Sequence, residues 1–147
     1  MAVADILVSG SDASPKLAVE VKNRSDVTGE WASQLRRNLA AHAAIPATPF
    51  FMVAVPDHFY VWTSARPLDA PADYVVDARP LLHQYISSTR SNLVSPSSEH
   101  SLELAVSSWL NDLVHGHEPD PKAHPWLFES GLYDSIRNGS VSTQARL

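Results

Sequence analysis

Cysteine is absent from the 147 residues. That excludes disulfides, thiolate zinc sites and a cysteine nucleophile, and it accords with a reducing compartment. Long apolar runs are missing too. No window approaches the roughly 20 apolar residues needed to cross a bilayer, and the opening MAVADILVSGSD has neither a basic start nor a sustained apolar stretch. These absences predict a soluble, cytoplasmic protein with no membrane partner. An excess of positive charge is also lacking. The 11 basic and 16 acidic residues leave a net charge of −5, which excludes the broad positive surface of a non-specific nucleic-acid binder.

What charge there is lies unevenly. Within residues 16–37, Lys16, Lys22, Arg24, Arg36 and Arg37 stand against Glu20, Asp26 and Glu30, a local balance of +2 that leaves −7 for the rest. A moderately basic face on an acidic protein permits local contact with phosphate. The length fits one domain whose core needs no metal or disulfide to stand. Residues 1–90 are predicted to form the α/β core, and residues 91–147 a linker and a helical segment packed on it.

Apolar patterning places the elements. DILVS and KLAVEVKN read as two strands joined by the turn-rich GSDASP, a hairpin. Residues 30–43, EWASQLRRNLAAHA, carry Trp31, Ala32, Leu35, Leu39 and Ala43 on one helical arc. PFFMVAV and FYVWTS, separated by PDH, form a second hairpin, and YVVD is a candidate fifth strand. ARPLLHQYI suits a short helix opened by Asp77, with Pro80 in its first turn. Residues 101–114 repeat Leu102, Ala105, Val106, Trp109, Leu110 and Leu113 at helical spacing, with Gly116 as a stop, and the tail carries one or two further helical turns.

Chemistry concentrates in the first hairpin. A strand sends alternate side chains to opposite faces, so Glu20 and Lys22 share one face about 7 Å apart, while Asp5 opens the neighbouring strand. Two carboxylates on adjacent strands suit a hard cation such as magnesium or manganese. A lysine beside them suits the charge that grows during phosphodiester hydrolysis. A bare E-x-K tripeptide is ordinarily a solvated strand face. The order of elements around this one supplies its specificity.

The pattern ADILVSG…KLAVEVKNR, followed by WASQLRRNLAAH and TPFFMVAVPDHFYVW, resembles the metal-binding core of the PD-(D/E)xK, or restriction-endonuclease-like, nuclease superfamily over about residues 4–64. The resemblance implies a mixed four- to five-stranded sheet flanked by helices. It makes Asp5 and Glu20 metal ligands, the Val21 carbonyl a further ligand, Lys22 the catalytic lysine and Gln34 a positioning residue. It also implies a magnesium- or manganese-dependent endonuclease acting on DNA, with Arg24, Arg36, Arg37 and Asn38 toward the nucleic acid.

Two features depart from the family. Position 4 is alanine where proline is usual, and the helix that normally precedes the first acidic residue, often bringing another acid, has no counterpart before Asp5. Either a later helix, 101–114, fills that place, or the core is incomplete and the chain is a catalytically inactive binding or assembly module. A homodimer is expected for cutting both strands of a duplex, with Trp109, Leu113, Trp126 and Phe128 as its contacts and the protomer core as their alternative use. His115, His117 and His124 read as scattered surface histidines rather than zinc ligands.

Overall fold

The computed structural model describes residues 4–42, 48–63, 67, 69–90 and 99–143, with side chains described at 79–83 and 85 but not elsewhere in 84–90. Eleven elements follow one another: β1 Ile6–Ser9, β2 Pro15–Val21, α1 Gly29–Ala41, β3 Phe50–Ala54, β4 His58–Thr63, β5 Tyr74–Asp77, α2 Arg79–Arg90, α3 Glu99–Val114, α4 Pro125–Glu129, α5 Leu132–Ile136 and β6 Ser140–Thr143. The strands form one mixed sheet in the order β5-β4-β3-β2-β1-β6. β2 and β3 run parallel, and every other neighbouring pair is antiparallel. Parallel neighbours require a crossover connection, which α1 provides.

Strand alternation divides the core into two layers. Ile6, Val8, Leu17, Val19, Val21, Met52, Phe59 and Val61 face one side with the apolar stripes of α2 to α5. Ala18, Phe51, Val53, Tyr60 and Trp62 face the other, where Ala32, Trp31, Leu35 and Leu39 of α1 cover them. β2 is therefore buried on both faces, and its residues Leu17, Ala18, Val19, Glu20 and Val21 are all buried. The α1 stripe expected from the sequence is present, except that Ala43 lies outside the described residues. Thr28 caps this helix, its hydroxyl accepting from the Trp31 N–H at 3.1 Å. The loop leading into α1 is pinned from the second hairpin, as the Tyr60 hydroxyl donates to the Val27 carbonyl at 3.2 Å.

The architecture is α/β, with helices on both faces of the sheet, but two expectations need correction. The sheet has six strands rather than four to five. β6 is SVST, with mostly exposed side chains. Three polar residues and the single Val141 give no readable alternation, and the strand exists because β1 offers it an edge, with Ile6 opposite Thr143 and Val8 opposite Val141. The second correction concerns Trp109, Leu113 and Trp126. They are buried in the protomer's own core, where the Trp109 ring lies 5.2 Å from Phe59 and 6.2 Å from Trp126. Phe128 is partly buried against the same core, 5.4 Å from the ring of Tyr133.

β6 reaches β1 through a tight approach. The Asn138 N–H donates to the Val114 carbonyl at 2.7 Å, tying the entry to the end of α3. A Cβ on the next residue, Gly139, would stand 1.8 Å from the Ser9 carbonyl oxygen. Gly139→Ala must therefore push β6 away from β1, at an expected cost of about 1–3 kcal/mol. Urea unfolding followed by circular dichroism measures it; an unchanged midpoint would show that the two strands separate freely.

Candidate active site

The first hairpin sets the geometry. Ile6 stands opposite Val19 in the antiparallel β1–β2 ladder, so Asp5, one residue before, meets Glu20, one residue after. Main-chain amides hold the two carboxylates in place. The Val21 N–H donates to Asp5 Oδ2 at 2.7 Å, and the Asp5 N–H donates to the Glu20 carboxylate. Lys22 continues the line of β2, its N–H donating to the Ala54 carbonyl at 3.0 Å. Its ammonium Nζ lies 3.9 Å from Glu20 Oε2.

A third carboxylate arrives from α3. Glu99, the first residue of that helix, accepts the Asn23 N–H on its Oε2 at 3.2 Å, and its charge is felt by Glu20. Glu103, one helical turn further along, is buried. The sequence offered a helix here, but only the packing of α3 against β1 and β2 brings its N-terminus to the end of the hairpin. An acid at the start of a helix is otherwise read as a favourable partner of the helix dipole.

Burial and the neighbouring charges act together on Glu20. The Glu20 carboxyl is pushed up from its ordinary 4.5 to about 7, chiefly by burial and next by the Asp5 charge, with Glu99 adding and Lys22 opposing. Among the described residues, no group of three or more His, Asp or Glu side chains is drawn together as a metal-ligand set. Magnesium does not require one, since it keeps several waters and takes one or two carboxylates. Asp5 and Glu20 fit that modest demand.

The remaining sequence candidates fall elsewhere. Val21 contributes its amide to the cluster, while its side chain belongs to the core on the α3 side. Gln34 is exposed on α1, where its amide donates to Asn38 Oδ1 at 3.2 Å and its Oε1 accepts from Arg37. The described hydrogen bonds of these three residues run along the helix rather than to Asp5 or Glu20. Arg24 leaves β2 and places its guanidinium 5.5 Å over the Trp31 ring. Arg36 is buried, donates to the Pro67 carbonyl at 2.9 Å and lies 5.2 Å over the Trp62 ring. It therefore clamps the segment after β4 onto the sheet. His115 and His117 are exposed, each with Nδ1 turned to a carbonyl of α3.

No family model, curated protein or solved structure matches the chain. No described helix is long and apolar enough to cross a membrane.

The raised Glu20 pKa has a sign that can be checked without any substrate. Between pH 4.5 and about 7 the folded state holds a proton that the unfolded chain has released, so stability falls as pH rises through that window. The full loss, reached above the folded pKa, is about 3 kcal/mol. In chelator, Glu20→Gln should abolish this slope and be the more stable protein at alkaline pH. Urea titrations across the window measure both, and parallel curves for the two proteins would contradict the assignment.

Proposed function

We propose that the chain is a divalent-metal-dependent nuclease that hydrolyses DNA phosphodiesters on a restriction-endonuclease-like core. One observation carries the reading: Asp5 and Glu20 meet across the β1–β2 hairpin with Lys22 3.9 Å from Glu20. The chain order β1, β2, α1, β3, β4 around them supports it. In this reading α3 takes the place of the family's preceding helix, and Glu99 supplies the additional acid.

Asp5 and Glu20 hold a magnesium or manganese ion, with the Val21 carbonyl as a further oxygen donor. When bound, the ion supplies positive charge to a phosphate oxygen and acidifies water. Lys22 keeps its ammonium beside the reacting phosphate and stabilises the negative charge that accumulates there. The main-chain amides of Val21 and Asp5 fix the carboxylates before the substrate arrives, so little reorganisation remains for the reaction itself. Arg24, Arg37 and Asn38, on the exposed α1 side, contact the DNA backbone, with Gln34 ordering that row. A cytoplasmic homodimer that cuts both strands completes the proposal, with contacts outside the buried tryptophans.

A second reading is a nuclease-fold module without activity, which binds or assembles. The burial of Arg36 favours it, because it removes one cation from the surface available to phosphate.

Purified protein incubated with plasmid, linear and single-stranded DNA plus magnesium or manganese separates the two. Cleavage is expected, with Lys22→Ala slower by ~10²-fold or more while calorimetric manganese affinity stays close to that of the parent. Glu20→Gln should lose both cleavage and affinity, since a neutral amide is a poorer donor to a hard dication. Failure to cleave any substrate, together with no heat on titration with manganese, would leave only the inactive module.

A further inference from the structure

A cavity of about 400 Å³ opens between α2, the second half of α3 and the loop that follows it, beyond the carboxylate cluster. Its size lies in the range of small-molecule sites. Trp109 forms one wall, held between Phe59 and Trp126 at ring separations of 5.2 Å and 6.2 Å. An aromatic wall fixed on both sides is already in position for a ligand. Around it stand Tyr85, Asp112, His117, Asp120 and His124.

The polar groups on this rim have one character. The Tyr85 hydroxyl donates to Asp112 Oδ2 at 2.6 Å, which turns the phenol's hydrogen away from any ligand. His117 Nδ1 stands 3.1 Å from the Asp112 carbonyl oxygen, which can only accept. Nδ1 is therefore a nitrogen that carries a proton. Asp120 commits Oδ1 to the Lys122 N–H at 2.9 Å and keeps a second oxygen. Two carboxylates and two imidazoles line the space, and among the described residues no lysine or arginine does.

We propose that this cavity binds an organic cation, a guanidinium or primary ammonium carried on an apolar stem. The charged head meets Asp112 and Asp120, and the apolar stem lies against Leu81, Leu113 and the uncovered edge of Trp109. Phosphates and carboxylates are repelled by the same pair. A free amine and an arginine side chain of a polypeptide share this chemistry. The site is independent of the proposed nuclease, since it uses none of Asp5, Glu20, Lys22 or Glu99.

The test follows the Trp109 indole N–H by proton–nitrogen NMR during titration with agmatine and with the peptide amide Ala-Arg-Ala, using Ala-citrulline-Ala as the uncharged control. Both cationic probes should move the signal to saturation, and the citrulline peptide should not. A tighter peptide identifies a polypeptide side chain as the source, and a tighter agmatine identifies a free amine. Asp112→Asn should weaken binding by about tenfold, the scale of one charge-assisted hydrogen bond. Because Asp112 also holds Tyr85, Asp120→Asn on the exposed loop serves as a second variant and should weaken binding without altering the fold. No movement with either cationic probe at millimolar concentration, equal binding of the citrulline peptide, or unchanged affinity in both variants would overturn the proposal.

Discussion

β2 must be buried on both faces, yet its fourth consecutive buried residue is an acid. The site answers this conflict with main-chain amides. Asp5 takes the N–H of Val21, Glu20 takes that of Asp5, and Glu99 takes that of Asn23. Each carboxylate is therefore held by a donor that belongs to the hairpin or its exit, and such charge-assisted bonds are stronger than neutral ones. They do not cancel the cost of burying the charge or the repulsion from Asp5, which together raise the Glu20 carboxyl to about 7. Lys22 offsets part of it from the partly exposed side.

The rest of the architecture keeps this strand covered. A parallel β3 on one side of β2 demands the α1 crossover, and α1 then shields the face carrying Ala18. The opposite face needs more, because Leu17, Val19 and Val21 join larger side chains from β3 and β4. Four helices supply it. α3 is the longest of the described helices, and its buried positions Leu102, Ala105, Val106, Trp109, Leu110 and Leu113 form the floor on which α4 and α5 close. Arg36 belongs to the same task on the α1 side, since its guanidinium joins the helix to the Pro67 carbonyl above Trp62.

Much of this was legible in the chain because the responsible forces are local. Apolar runs bounded by turn formers mark β1 to β4, and the α1 and α3 stripes repeat at helical spacing. Asp5, Glu20 and Lys22 meet because a hairpin's register follows from its two strands, both readable. Features that depend on distant partners were not legible. Arg36 sits beside Arg37 in sequence, and only its distant partners, the Pro67 carbonyl and the Trp62 ring, separate a buried clamp from a partly exposed cation. Glu99 lies 76 residues from the amide it accepts. β6 has no apolar signature, so its pairing is dictated by the open edge of β1 rather than by its own residues. For the tryptophans of the last third, sequence left core and interface equally open, because the large core they fill is assembled from both halves of the chain.

The order of these parts along the chain matters during synthesis. A ribosome releases β1, β2 and α1 early, when neither Glu99 nor β6 exists to meet them, and the Ser142 hydroxyl that reaches the Leu7 carbonyl comes 135 residues after it. Contacts so far apart in sequence form late and slowly. A nascent chain thus carries Asp5 and Glu20 on a hairpin whose edge is unpaired and whose third acid is not yet made. The cluster of carboxylates is complete only once the helical segment has emerged and docked, so maturation of the site is timed by translation of the C-terminal third.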